Sequence, residues 1–118
     1  MPQGRVAIFL SHSDPTALRL AGACAATAAA LGDRVDVFVF GPALPALVEA
    51  AAHGDPEGGA GLLLEARRSA EACRLFACSA SLVEQKVTPA AAETTFDAVC
   101  GWPTVLEWSR GVVDRFFF

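Results

Sequence analysis

Apolar residues recur along the chain in two patterns that alternate, short strand-like runs and longer helical stretches. Residues 5–10 and 34–40 are short runs of β-branched and aromatic residues, typical of buried parallel strands. Between them, the alanine-rich residues 16–31 predict a helix that begins after a capping side chain, Ser13 or Asp14. These three segments together predict a βαβ unit with a right-handed crossover.

The rest of the chain continues the alternation. We predict helices over residues 44–52 and 62–72, separated by a flexible glycine-rich loop over residues 53–61. The remaining elements, in order, are a strand at 73–77, a helix starting in 78–85, a loop or short helix at 88–95, a strand at 96–100, a helix from the turn at 101–103 to residue 110, and a strand at 112–118. This pattern predicts one domain, residues 1–118, of the three-layer α/β/α class with a mainly parallel five-stranded sheet.

Composition excludes several classes of protein. The chain has 118 residues, 53% hydrophobic and 19% charged, which excludes intrinsic disorder and suits one domain. Its longest weakly polar stretch, residues 20–31, is too short to span a bilayer, and residues 6–10 are too short for a signal peptide. We therefore predict a cytoplasmic protein without membrane association. The apolar excess, concentrated in the first helix and in residues 102–108 and 116–118, favours a homo- or hetero-oligomer instead.

Charge and cysteine spacing exclude further kinds of site. The net charge is −4 and no basic patch is visible, so nucleic acid is not an expected partner. The four cysteines form no C-x-x-C pair and have no histidine at a companion spacing, so no metal site is expected. The glycines at 58–61 follow no strand, which removes the structural context of a phosphate loop. We expect no cofactor.

Three reactive side chains, His12, Cys78 and Cys100, follow or end predicted strands, where ligands of a parallel sheet gather. Cys78 would lie in the first turn of a helix, where free N–H groups and the helix dipole stabilise a thiolate. Ser79 and Ser81 could add hydrogen bonds to that thiolate. The alternative is that Cys78 is a small buried hydrophobic residue, as free cysteines often are.

The auxiliary candidates also carry alternatives. Cys100 would neighbour Cys78 if their strands are adjacent, and a disulfide between them could then resolve a persulfide or a sulfenate; otherwise it is a core thiol before a glycine turn. His12 could lower the pKa of a nearby thiol as an imidazolium, or could simply be a polar residue at a helix entry. Cys24 and Cys73 are interpreted as packing residues.

Residues 75–87 (LFACSASLVEQKV) resemble the cysteine motif of the DsrE/TusD-type sulfur-relay family, in which a strand ends in a cysteine and two small residues follow shortly after. Phe96, Gly101, Leu106 and the ending 114–118 are similar to that family's closing stretch, a glycine-led helix followed by a final apolar strand. The opening strand, helix and strand match as well, so the resemblance covers nearly the whole chain.

The resemblance implies a small α/β subunit of an oligomer that carries sulfur as a persulfide on one cysteine and passes it between donor and acceptor proteins. Only Cys78 matches the family's active position. The chain differs from the family pattern at residues 11–15 and 53–61, so a homo-oligomer outside a relay complex is an alternative to a hetero-oligomer. Two other functions stay open: a non-enzymatic ligand-binding or interaction subunit of the same fold, and a thiol-redox protein that uses Cys78 and Cys100.

Overall fold

The computed structural model describes residues 4–118, and in this part of the chain five strands alternate with six helices. The strands are β1 (Arg5–Leu10), β2 (Arg34–Val39), β3 (Cys73–Cys78), β4 (Ala98–Cys100) and β5 (Asp114–Phe117). The helices are α1 (Pro15–Ala30), α2 (Ala43–His53), α3 (Gly59–Ser69), α4 (Ser79–Glu84), α5 (Pro89–Thr95) and α6 (Trp102–Ser109). The elements follow one another in the predicted order, and residues 89–95 are a short helix.

All strands pair in parallel, in the order β4-β3-β2-β1-β5. The sheet lies between helices, so the predicted three-layer α/β/α class with a five-stranded sheet is confirmed. Because every strand runs in the same direction, their carboxyl ends meet at one edge of the sheet. The candidate thiols of Cys78 and Cys100 lie at this edge.

The first βαβ unit forms where the sequence predicts it. β1 has the predicted bounds, and Asp14 is the N-cap of α1, with its carboxylate accepting a hydrogen bond from the Ala17 amide at 3.1 Å. Pro15 takes the first helical position, which needs no N–H donor. After α1, Gly32 has a φ of +86°, a left-handed conformation that glycine adopts without steric cost and that turns the chain into β2.

The predicted loop over residues 53–61 is wrong at its C-terminal end, because α3 already begins at Gly59. The Asp55 carboxylate accepts a hydrogen bond from the Gly61 amide at 3.2 Å and so satisfies a free donor in the first turn of α3. Gly59 of α3 and Gly22 of α1 let these two helices pack closely. A Cβ on Gly59 would overlap the backbone of Leu18, and one on Gly22 would lie 2.7 Å from the Gly59 carbonyl oxygen.

β4 is two residues shorter at its start than predicted. Phe96 is the C-cap of α5 and its ring is buried, so it belongs to the core rather than to the strand. Asp97 then joins the chain to β3, since its amide donates to the Leu75 carbonyl and its carboxylate accepts from the Leu75 amide, both at 2.8 Å. The same carboxylate pairs with Arg67 of α3 at 3.1 Å.

The two faces of the sheet are covered unequally. The α1 face, formed by the buried strand residues Val6, Ile8, Leu10, Val35, Val37, Val39, Cys73, Leu75 and Ala77, packs against buried residues of α1, α2 and α3. The α6 face carries Ala7, Phe38, Phe76 and Cys100 and packs against Val105 of α6 and Val112. One helix of eight residues thus covers the face on which the aromatic side chains lie.

A row of aromatic rings, stacked except for the tilted Phe76–Trp108 pair, runs across the α6 face. Successive ring centroids lie 4.8, 5.4, 5.4 and 4.9 Å apart along the row Phe117, Phe9, Phe38, Phe76 and Trp108. The guanidinium of Arg74 lies over the Phe76 ring, 5.0 Å from its centroid, and bonds the buried Asp36 carboxylate at 3.3 Å. The four phenylalanines of the row come from β5, β1, β2 and β3, so their rings support the pairing of these strands, and Trp108 adds a contact from α6.

Candidate functional site

Two thiols lie side by side at the carboxyl edge of the sheet. β3 ends at Cys78 and β4 ends at Cys100, and the two residues are Cα partners in the parallel pairing of these strands. The strands that carry Cys78 and Cys100 are therefore adjacent, which is what a neighbouring position of the two thiols requires. The pair lies at the edge where parallel α/β sheets place their ligands.

Both thiols belong to the α6 face. Side chains alternate along a strand, so Cys78 lies on the same face as Phe76, and Cys100, its partner in register, packs in the core of that face. Cys73 is five positions before Cys78 and packs in the core of the α1 face. The two cysteines of β3 therefore lie on opposite faces of the sheet, as their spacing predicts.

A pair of stacked rings lies across the end of the strand that carries Cys78. The side chains of Cys78 and Cys100 are 4% and 6% exposed. The rings of Phe40, one residue beyond β2, and Trp102, two residues beyond Cys100, stack with centroids 5.0 Å apart and planes 18° apart. Because β3 lies between β2 and β4, this stack spans the end of β3, where Cys78 lies. The outer side of Trp102 faces solvent, since 54% of the residue is exposed.

Burial changes the acidity of Cys100. It raises the pKa of the Cys100 thiol above its ordinary value, and the neighbouring Cys78 raises it further. The effect of Cys78 on Cys100 agrees with their placement as strand partners. A nucleophilic role of Cys100 therefore requires that its proton be removed.

The two serines after Cys78 take different positions. Cys78 is the N-cap residue of α4, but the helix has six residues and the cap makes no side-chain hydrogen bond. Ser81 is buried, and its hydroxyl oxygen accepts a hydrogen bond from the Gly41 amide at 3.0 Å, which ties α4 to the turn after β2. Ser79 is exposed, and its hydroxyl lies beside Gly101, the residue after Cys100.

The remaining candidates lie away from the thiol pair. His12 follows β1, and β2 lies between β1 and β3; its ring is exposed and its Nδ1 lies 3.3 Å from the Ser11 hydroxyl. The structure does not bring His12 to the strand pair that holds the thiols. Burial raises the pKa of the Cys73 thiol to about 11, and burial also raises that of Cys24, which lies on α1. Both agree with a packing role.

The aromatic cover was missed from the sequence. The signal is present in residues 100–103 (CGWP), because a bulky side chain two positions after a strand-end thiol can fold back over it. The contact between Trp102 and Phe40 cannot be predicted from the sequence, because the two residues are 62 positions apart. The cover therefore depends on the strand order.

Two clefts lie elsewhere on the described part of the molecule. One, of about 830 Å³, is lined mainly by residues 54–68 and by the end of α5. The other, of about 550 Å³, lies between α1 and β5. Among residues 4–118, no group of three or more histidine, cysteine or acidic side chains is arranged to hold a metal ion, and no helix combines the length and apolar character needed to cross a membrane.

Comparison of the chain with protein-family models finds no match, and comparison with curated proteins finds none either. The paired thiols at the strand ends and the resemblance of residues 75–87 to the sulfur-relay cysteine motif are therefore the features that bear on function.

Proposed function

We propose that the protein is a sulfur carrier, of the sulfurtransferase class, that holds a persulfide on Cys78. The observation that carries the proposal is the pairing of Cys78 with Cys100 at the carboxyl edge of the sheet, beneath the Trp102 ring. The resemblance of residues 75–87 to the sulfur-relay motif supports the same cysteine.

The loading step moves one sulfur atom. The Cys78 thiolate attacks the outer sulfur of a donor persulfide, and the bond between the two donor sulfurs breaks. The donor leaves as a thiolate, and Cys78 holds the transferred sulfur as Cys78–S–SH. No net oxidation occurs, because the sulfane sulfur passes from one thiol to another.

The cover suits a carrier. A thiol from solution can remove the outer sulfur of a persulfide. A carrier must therefore limit the access of such thiols to the loaded sulfur. Cys78 is 4% exposed, and the ring above it belongs to a residue that is itself half exposed. Displacement of one side chain, Trp102, would then admit a donor or acceptor without opening the core.

The proposal extends to location and assembly. We expect a cytoplasmic protein that forms homo- or hetero-oligomers and receives sulfur from, and delivers it to, partner proteins. Large apolar residues that are more than half exposed support a subunit contact; they are Leu20, Leu31, Val83, Trp102, Leu106, Val113 and Phe117. Light scattering of the purified chain tests assembly, and a monomer at all concentrations would contradict a homo-oligomer.

Persulfide loading is tested by intact-mass analysis after incubation with glutathione persulfide. In a Cys100→Ser background, in which no thiol is paired with Cys78, we expect the mass of one sulfur atom on Cys78 and none after Cys78→Ser, while Cys73→Ser, altered on the same strand but the opposite face, leaves the loading unchanged. The unmodified chain is assayed in parallel, to see whether it retains the added sulfur. Equal loading with and without Cys78, or no loading in either background, would overturn the proposal.

A further inference from the structure

The geometry of the thiol pair meets the first requirement of a disulfide. Neighbouring strands lie about 4.8 Å apart, and disulfide-bonded residues have Cα atoms about 4.4–6.8 Å apart. Cys78 and Cys100 are direct Cα partners on neighbouring strands and share the α6 face. Of the pairs among the four cysteines, this one combines adjacent strands, equal register and a common face.

The second requirement is a small movement. The Cβ atoms of in-register parallel partners stand about one strand spacing apart, roughly 1 Å more than the Cβ separation in a disulfide. One strand of the pair must therefore approach the other. β4 has three residues, lies at the edge of the sheet with β3 as its neighbour, and is followed by Gly101. It is the strand that can shift with the least disturbance to the rest of the sheet.

We propose that Cys100 is the resolving thiol of the carrier: it reduces a persulfide on Cys78, releases the transferred sulfur as hydrosulfide and leaves a Cys78–Cys100 disulfide. The inference rests on the proposed function, because it needs a persulfide on Cys78. It adds a second activity, persulfide reduction, to sulfur carriage.

The atoms and electrons of the step balance within the chain. The Cys100 thiolate attacks the inner sulfur of Cys78–S–SH, a bond forms between the two cysteine sulfurs, and the bond to the outer sulfur breaks. The outer sulfur leaves as hydrosulfide with its proton, and the proton of Cys100 passes to solvent. The sulfane sulfur is reduced, and the two cysteine sulfurs are oxidised to the disulfide. A dithiol reductant returns the pair to two thiols for another turnover.

Loading would place an electrophilic sulfur beside the resolving thiol. In the unloaded protein, the neighbouring Cys78 helps to hold the pKa of Cys100 above its ordinary value. The persulfide places its reactive inner sulfur at the position of that neighbour. In the loaded protein, Cys100 therefore has an electrophilic sulfur at the position of Cys78. The Trp102 ring would limit competing attack by thiols in solution.

The test is a single turnover with glutathione persulfide, followed by hydrosulfide assay and intact-mass analysis of the full chain. For the unmodified sequence we expect one hydrosulfide per chain and a chain lighter by two hydrogens. Cys100→Ser should instead retain the added sulfur and release no hydrosulfide. Cys100→Ala provides a second variant if the buried serine impairs folding, and Cys73→Ser should behave like the unmodified sequence.

The outcomes separate the two proposals. Stable sulfur on Cys78 of the unmodified chain, without hydrosulfide, would overturn the resolving role and leave sulfur carriage intact. Sulfur transferred to Cys100 without hydrosulfide would also overturn it, because attack would then occur on the outer sulfur. No loading in Cys100→Ser and Cys100→Ala, when both are folded by circular dichroism, would overturn sulfur carriage and the resolving role together.

Discussion

The Phe40 and Trp102 rings stack with centroids 5.0 Å apart, although Phe40 follows β2 and Trp102 follows β4. The stack therefore joins two strands that are not neighbours and spans the end of the strand between them. That strand is β3, and it ends in Cys78. The aromatic contact therefore lies across the strand end that carries Cys78.

Removal of the Trp102 ring should raise the reactivity of the covered thiols. In Trp102→Ala we expect alkylation of Cys78 in the native protein to be about 2- to 13-fold faster, since an aromatic pair contributes about 0.5–1.5 kcal/mol beyond its buried area. Peptide mapping after timed iodoacetamide treatment measures the rate. Trp108→Ala is the matched control, because Trp108 packs on Phe76 rather than on Phe40. Equal acceleration in both variants would contradict control by Trp102 itself.

The crossing of α1 and α3 should be intolerant of a side chain on α3. Gly59→Ala places a methyl group against the backbone of Leu18, which cannot move away as a flexible side chain can, so we expect a loss of about 2–4 kcal/mol in the free energy of unfolding. Gly101→Ala is the control. Its methyl group would meet its nearest neighbours at an ordinary 3.6 Å, and the expected loss is below about 1 kcal/mol. Urea unfolding distinguishes the two, and equal losses would contradict the close crossing.

Stability should fall at alkaline pH through Cys73. Burial raises the pKa of this thiol to about 11 in the folded protein, whereas an unfolded cysteine titrates near its ordinary value of about 8.5. The folded state therefore holds the proton more tightly, and its stabilisation is complete below about pH 8.5 and is lost as the pH rises toward 11. Between pH 8 and 11 the unmodified chain should lose on the order of 2 kcal/mol more than Cys73→Ala. Parallel pH dependences of unfolding in both proteins would count against this.

Arg74 should matter more than Arg34 for the buried Asp36 carboxylate. Arg74 bonds it at 3.3 Å and stacks on Phe76, whereas Arg34 approaches to 3.8 Å and is more exposed. After Arg74→Ala the buried Asp36 carboxylate would keep only the distant Arg34, so we expect a loss of about 2–3 kcal/mol in the free energy of unfolding, whereas Arg34→Ala should lose under about 1 kcal/mol. In an Asp36→Asn background the loss on Arg74→Ala should shrink. If the loss in the free energy of unfolding is unchanged in the Asp36→Asn background, Arg74 stabilises the fold through its contact with the Phe76 ring and not through Asp36.

Local signals explain what could be predicted from the sequence. The bounds of β1 and the cap of α1 depend on residues within one turn or one strand, and both are confirmed. The sequence predicts too late a start for α3, because glycine usually marks a loop. Glycine is required at position 59 because a side chain there would overlap the backbone of α1 at Arg19, 40 positions earlier. Residues that serve tertiary packing cannot be read from local propensity.

Some features of the candidate site could likewise be predicted from local sequence, and others could not. Cys78 could be identified from the strand that precedes it and the helix that follows. Its pairing with Cys100 could not, because the sequence does not state the order of strands in the sheet. The Trp102 cover requires that order as well, since the ring packs beyond the neighbouring strand. Long-range pairing, rather than any local motif, converts two separate cysteines into a site.

The short β4 also has a consequence for how the sheet opens. Its three residues have β3 as their strand neighbour, whereas β1, β2 and β3 each have a strand on both sides. The amide protons of β4 should therefore exchange with solvent through a local opening of lower free energy than global unfolding. The proposed chemistry at Cys100 would then proceed through this opening while the central strands keep their hydrogen bonds. The strand proposed to react and the strands that sustain global stability are different parts of one sheet.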